Sequence, residues 1–191
     1  MKRTRFTSWH FLLILAAVVL FLTVQKDPSA SRTENPAPTW EVYFSPPGGA
    51  TDAIIRTIDE TKSTVLVRAY SFTSEPIAEA LVRAHERGVK VQVLLDKTQR
   101  TQKYTTAHIP IQAGIPTLID ASHAIAHNKV IIVDNETVIT GSFNFIKAAE
   151  ERNAENLLII RDRELAHRYL DNWHTHRAHS VPLRSRVELN K

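Results

Sequence analysis

His127-Asn128-Lys129-Val130-Ile131-Ile132-Val133-Asp134-Asn135-Glu136-Thr137-Val138-Ile139-Thr140-Gly141-Ser142-Phe143-Asn144 reads as two apolar strands reversed by a turn. Val130 to Val133 and Thr137 to Thr140 are short β-branched runs, and Asp134-Asn135 between them is turn chemistry. Side chains alternate along a strand, so His127 and Lys129 are expected to project to one face. The return strand brings Gly141, Ser142 and Asn144 back beside them. Imidazole, ammonium, hydroxyl and carboxamide then meet at one end of a hairpin. Gly141, lacking a side chain, is expected to let an anion approach the backbone. Asp134 reads first as a turn residue, with a supporting part in the site as the alternative.

Outward from this hairpin, strand and helix patterns alternate. Upstream, Trp40 to Phe44 reads as a strand, Ser45-Pro46-Pro47-Gly48-Gly49 breaks it, and Ala53, Ile54, Ile55 and Ile58 recur at helical spacing. Val65-Leu66-Val67 is a buried strand. Ser74 is a candidate N-cap with Pro76 in the first turn, and Ile77, Ala80, Leu81 and Ala84 share a face until Gly88 ends the helix. Val89 to Leu95 predicts another strand, a helix ends near Ala113-Gly114, and Pro116 to Ile119 makes a short strand. Downstream, Leu157 to Ile160 predicts a strand, and Arg163 to His176 a closing helix with Leu165, Tyr169 and Trp173 on one side. The expected fold class is α/β: one domain over residues 40–191, with a mixed, largely parallel β-sheet sandwiched between helices on both faces. Several strands are apolar on both sides, which calls for cover on both.

The amino terminus follows a different rule. Lys2, Arg3 and Arg5 precede an uninterrupted apolar run from Phe11 to Leu22, extended to Val24, with the charged-then-apolar order of a secretory signal. The run is shorter than the ~20 residues that span a bilayer comfortably. Residues 1–24 are therefore expected to be a signal peptide or signal anchor that delivers the rest of the chain outward, into the periplasm or the medium. Membrane attachment would come only through residues 11–24 left uncleaved. Residues 25–39, with Pro28, Pro36 and Pro38, read as a linker.

Composition narrows the chemistry. The 191 residues include no Cys, which removes disulfides, thiolate metal sites and a cysteine nucleophile. The net charge of +4 is concentrated before residue 39: residues 1–38 hold five of the 24 bases and two of the 20 acids. The remainder is nearly balanced, so bulk charge does not argue for a polyanion partner, and any such argument rests on local groups.

The spacing H-x-K-x4-D-x6-G-S-x-N over residues 127–144 resembles the HKD signature of the phospholipase D superfamily. Six residue types at fixed offsets coincide by chance at a frequency on the order of 10⁻⁷ to 10⁻⁸ per position. Asn153-Ala154-Glu155-Asn156 is similar to the N-x-E-N segment that follows the motif in this family. Tyr70-Ser71-Phe72-Thr73 and Ala113-Gly114-Ile115-Pro116 look like the small single-motif members, the bacterial periplasmic endonucleases. The resemblance runs from near Val42 to near Trp173. His127-Asn128-Lys129 is the only H-x-K in the chain, whereas the family site uses two copies, so the resemblance implies a homodimer with one copy from each subunit. It also implies roles. His127 of one subunit attacks phosphorus to give a phosphohistidine, and His127 of the other protonates the leaving oxygen. Lys129, Asn144 and Ser142 hold phosphate oxygens with no cofactor or metal, and Glu155 orients the histidine.

Two further groups stand out. Lys97, Arg100 and Lys103 bracket a Gln/Thr-rich stretch with Tyr104 and are weak candidates for substrate binding through phosphate contacts. His174, His176 and His179 have the density of a metal clip, but no acid at hand in the sequence closes a site, so they read as a solvated polar tail and no metal is expected. Three functions are consistent with these residues: an exported, metal-independent endonuclease cutting DNA or RNA, a hydrolase or transferase acting on phospholipid headgroups, and a non-catalytic nucleic-acid binder. The single-motif length and flanking segments favour the first.

Overall fold

The structure, a computed structural model, describes residues 37–46 and 48–183. The expected signal segment 1–24, residues 25–36 of the expected linker, Pro47 and residues 184–191 lie outside the described residues. Among the described residues, no helix is long and apolar enough to cross a membrane.

Eight strands form one sheet: β1 (Thr39–Ser45), β2 (Thr64–Ala69), β3 (Lys90–Asp96), β4 (Thr117–Asp120), β5 (Lys129–Val133), β6 (Thr137–Gly141), β7 (Glu155–Arg161) and β8 (Val181–Pro182). Their order is β1-β7-β6-β5-β2-β3-β4-β8. The helices are α1 (Ala50–Asp59), α2 (Glu75–Glu86), α3 (His108–Gln112), α4 (Lys147–Glu151) and α5 (Arg163–His179), with a 3₁₀ turn at Lys97–Arg100. Thr39, the last residue of the expected linker, opens β1.

Alternation along the strands divides the interior in two. Val65, Val67 and Ala69 of β2, with Val91, Val93 and Leu95 of β3 and Ile131 and Val133 of β5, pack under Ile54 and Ile58 of α1 and Ile77 and Leu81 of α2. On the other face Leu66, Leu94, Leu118, Val130, Ile132 and Val138 pack against Ala166 and Trp173 of α5. Trp173 also donates its indole N–H to the Val67 carbonyl at 3.3 Å, so the largest buried side chain leaves no orphan donor. This is the α/β architecture with helices on both faces that the apolar strands predict.

The sheet is mixed, but "largely parallel" needs correction. Only β2 with β3 and β3 with β4 pair in parallel, and the other five pairings are antiparallel. Parallel neighbours require a crossover back to the starting edge, and α2 and α3 provide it for β3 and β4. After β4 no helix returns the chain. The segment 121–128 stays at the edge where β4 ends, so β5 enters there and runs against β2. A short turn after β5, and after β6 a connection through α4 that stays at one sheet edge, keep the direction alternating.

Local chemistry sets the turns. Asp134 and Asn135 hold positive φ (52° and 57°), a conformation their short polar side chains tolerate. The Asp134 carboxylate accepts from the backbone N–H groups of Lys62, Ser63 and Thr64 at 3.0, 2.7 and 2.9 Å and from the Ser63 hydroxyl at 2.7 Å. It therefore rivets the hairpin to the segment entering β2. Ser74 does precede α2, but its hydroxyl makes no capping bond, and Pro76 in the first turn removes one donor that would need a cap.

Burial pushes the Asp134 carboxyl up, but the donors from Lys62, Ser63 and Thr64 outweigh it and hold the group below its ordinary range. Its stabilising contribution is present above the unfolded carboxyl pKa near ~3.9 and is lost as pH falls through the folded value. Asp134→Ala should cost about 2 kcal/mol in urea unfolding at pH 7. Asp134→Asn should flatten the pH dependence of stability below about pH 4. Neither should change turnover per folded molecule; a loss of turnover would return Asp134 to the chemistry.

Candidate active site

The connection 121–128 and the strand directions gather one set of loops at a single sheet edge. The C-terminal ends of β2, β3 and β4, the start of β5, the end of β6 and the start of β7 all lie there. Open α/β sheets place ligands at this kind of edge. The apolar strands bury in the core, so the polar residues at their ends are carried to the rim without packing cost.

His127 precedes β5 and is exposed, while Lys129, the first β5 residue, is only 8% exposed. The Lys129 Nζ stands 3.2 Å from His127 Nε2 and 3.3 Å from the His127 carbonyl oxygen. An ammonium has hydrogens and no lone pair, so in this contact Nε2 accepts and the neutral ring carries its hydrogen on Nδ1. That leaves Nε2 as the basic, nucleophilic nitrogen. Tyr70 completes the cluster: its ring meets His127 edge-on at 4.5 Å between centroids, and Lys129 Nζ lies 5.3 Å from its centre. The Tyr70 N–H donates to the Asn128 carbonyl at 2.8 Å, which fixes the chain between His127 and Lys129. Burial pushes the Lys129 ammonium below the ordinary lysine range, and the Glu155 carboxylate partly opposes this.

Just past the end of β6, Phe143 and Phe145 are buried, which turns Ser142 and Asn144 to the other side of the chain. The Asn144 Oδ1 is buried with no hydrogen-bond partner. Amide oxygen and nitrogen exchange places by a flip, so an orphaned carboxamide here can present either donor or acceptor to a ligand. The exposed Ser142 hydroxyl accepts from the Asn156 N–H at 3.0 Å and keeps its own hydrogen to donate.

Gly141 needs a different explanation from the one its sequence position offers. At φ 152°, a Cβ there would collide with the Asn156 carbonyl of β7. That oxygen accepts from both Ser142 and Phe143 N–H groups, at 3.1 and 3.2 Å. Gly141 thus makes room for β7, which seats the Ser142–Asn144 segment.

Glu155 opens β7, two strands away from β5, and accepts from Asn153 Nδ2 at 3.1 Å. Within one protomer it makes no hydrogen bond to His127, and it acts electrostatically on Lys129 instead. Asp134 lies just past the far end of β5, roughly 16 Å along the chain from Lys129 at ~3.3 Å per residue. Lys97, Arg100 and Lys103 are exposed on the segment after β3, at the site's sheet edge. Lys97 donates to the His123 carbonyl at 3.0 Å, and Lys103 lies 5.3 Å from the ring centre of exposed Tyr104.

The histidine-rich end does not form a solvated tail. Helix α5 continues through His179, and His176 and His179 converge on Asp120 with His123. His174 is outside that group and packs edge-on against Trp173. Asp120 is 1% exposed, and its oxygens lie 2.7 Å from His176 Nδ1, 3.3 Å from His123 Nδ1 and 3.2 Å from His179 Nε2. Burial raises its carboxyl, but hydrogen bonds from His176, His123, the Ser122 N–H and His179 win and hold it at about 2. The acid missing from the sequence reading is thus supplied from β4.

Residues 54–176 match the family described as cardiolipin synthase, PLD-like domain. The chain belongs to the phospholipase D superfamily. Among similar proteins, a phospholipase D of Rickettsia felis is 49% identical over 130 residues, covering 68% of this chain and 65% of that one. A mitochondrial cardiolipin hydrolase of Mus musculus is 29% identical over 120 residues, covering 63% of this chain and 54% of that one. This chain thus aligns with between half and two thirds of these relatives' length. The crystal structure of Nuc from Salmonella typhimurium, a phospholipase D family member, superposes with a TM-score of 0.74 at 40% identity, covering 78% of this chain and 99% of that one. The phospholipase D-like fold read from residues 127–144 therefore stands, and Tyr70 is the site neighbour that the motif alone did not single out.

Proposed function

We propose that this protein is a metal-independent phosphodiesterase, acting as an exported endonuclease on DNA or RNA, with its site completed by two subunits. The contact between Lys129 Nζ and His127 Nε2 carries the reading: a nucleophilic nitrogen and a partly buried cation are already paired at an open edge. His127 of one protomer attacks phosphorus through Nε2, forming a P–N bond as the P–O bond to the leaving group breaks. His127 of the partner subunit gives that oxygen a proton, then takes one from water, which attacks phosphorus and breaks the P–N bond. Lys129, Asn144 and Ser142 meet the charge that gathers on the non-bridging oxygens.

A single H-x-K copy per chain calls for a second subunit in this reading, and the fold offers a surface for it. Among the described residues, helix α5 packs on β4, β5 and β6, and the same face of β1 is left exposed. There Trp40, Val42 and Phe44 are exposed in a row beside Leu158 and Ile160, ending at the site edge. A strip of this kind marks an interface.

Exposed Arg100, Lys103 and Tyr104 at the same edge favour nucleic acid, because they supply phosphate contacts and a stacking ring. The Arg100→Gln/Lys103→Gln double variant should bind duplex DNA more weakly, with a salt slope shallower by about 2, while cleaving at an unchanged rate once saturated. An unchanged slope removes these residues from the interface. Phospholipid headgroups are the second reading, favoured by the names of the Rickettsia and mouse relatives. The deciding assay incubates purified protein with plasmid DNA and, separately, with phosphatidylcholine vesicles, both in excess EDTA. Nicking of the plasmid without choline release supports the endonuclease. Choline release alone overturns the substrate and keeps the chemistry.

A further inference from the structure

We propose that Asp120, His123, His176 and His179 form a four-ligand site for a divalent transition-metal ion of the zinc type. The four ligand atoms already lie within 4.8 Å of one another, and those nearest the Asp120 oxygens are 2.7, 3.2 and 3.3 Å away. A tetrahedron with metal–nitrogen bonds of ~2.0–2.1 Å has edges of about 3.3 Å, so rotamer adjustment of the imidazoles is enough to close it. The ligands come as two short pairs, Asp120-x2-His123 after β4 and His176-x2-His179 on the last turn of α5, where i and i+3 share a face. Three nitrogens and one oxygen exclude a hard-cation cage for calcium or magnesium and suit zinc, cobalt or nickel.

The surroundings are those of a built site. Asp120 is almost fully buried, and Arg68 holds its far side, with Nη2 4.0 Å from Oδ2 and within 2.7–2.9 Å of the His176 ring, while Nη1 donates to Asn172 at 2.6 Å. An ion entering here replaces the protons that the imidazoles share with Asp120, and these leave to solvent. Arg68 adds positive charge beside the ion and raises the affinity demanded of the nitrogen ligands.

Four protein ligands leave no open position, so the ion would be structural. Its place gives it a task. Asp120 faces the α5 side of the sheet, as do Arg68 and Leu118, whereas Lys129 faces the α1 and α2 side with Ile131. The ion would therefore touch no substrate. It would clamp His123 to α5, and His123 lies four residues ahead of His127 in the connection that delivers the imidazole. Further ties on this connection are Asp96, which accepts from the Ala126 N–H at 2.7 Å, Lys97, which donates to the His123 carbonyl, and the Tyr70 N–H, which donates to the Asn128 carbonyl. This site stands whether the substrate is nucleic acid or lipid.

The test strips the protein with chelator, returns it to chelator-free buffer and titrates it with Co²⁺ followed by Zn²⁺. One equivalent of Co²⁺ should produce the intense visible bands of a four-coordinate site, and one equivalent of Zn²⁺ should erase them. Zn²⁺ at a hundredfold excess over its Kd should raise the melting temperature by about 5–10 °C, and Mg²⁺ should not. His123→Gln and His179→Gln should each lose the bands and the shift, while His174→Gln on the same helix keeps both. If the metal-free variants keep the wild-type circular dichroism, folding is not the cause of the loss. The proposal is overturned by the absence of four-coordinate bands, or by bands that survive in His123→Gln with His179→Gln; the group is then a metal-free carboxylate–imidazole network.

Discussion

His127→Ala is expected to lower phosphodiester cleavage by about 10⁴-fold or more, because in the proposed mechanism one substitution removes the nucleophile from one half of the site and the proton donor from the other. The ring is exposed, with Tyr70 and the Lys129 ammonium beside it, so the variant should melt within ~0.5 kcal/mol of wild type. Substrate binding should persist, because the groups that meet phosphate oxygens are all in place. The measurement is single-turnover cleavage beside a gel-shift titration of the same preparation. Mixing variant into wild type adds a second readout: if both histidines are needed, activity falls as the square of the wild-type fraction. A linear fall, or cleavage that survives in the pure variant, rules out the shared imidazole pair.

Lys129→Met should cost about 10²–10³-fold in the chemical step, the range for removing one donor aimed at a developing oxyanion. Methionine fills the space of the buried aliphatic stem, so the loss reports charge and not a cavity. Glu155 provides a finer check. Its carboxylate supports the Lys129 ammonium against burial, so Glu155→Gln lowers the lysine pKa further. The rate profile of that variant should fall off at lower pH on its alkaline side, with its acid side unmoved. Were Glu155 to act instead by orienting His127, the whole profile would drop without a shift of the alkaline limb.

The hairpin and its four outward groups were legible because their spacing is local: strand alternation and a turn pair are enough to bring residues 127–144 back on themselves. Helix faces such as Ile77, Ala80, Leu81 and Ala84 were legible for the same reason. Pairings that depend on how the chain travels between strands were not. Nothing in residues 121–128 announces that they skip a crossover, and that omission makes most of the sheet antiparallel. The steric need for glycine at 141 is hidden from the sequence because the crowding carbonyl belongs to Asn156, fifteen residues later and on another strand. Asp120 and His176 are 56 residues apart, and only the seating of α5 over β4 brings them to 2.7 Å. Sequence spacing sees clusters formed within an element; clusters formed between elements need the packing.

The bare face of β1 has an optical consequence. Trp40 is 66% exposed on it, whereas Trp173 is 2% exposed in the α5 core. The emission of Trp173 is set by the protomer's own interior and stays constant until the fold is lost. Trp40 is wet, and any surface that settles on Val42 and Phe44 dries it and moves its emission to the blue. In a protein beginning at residue 37, dilution followed by fluorescence would therefore read the proposed pairing directly, with no label and no substrate, and the concentration at which Trp40 reddens would be the one at which the proposed dimer comes apart.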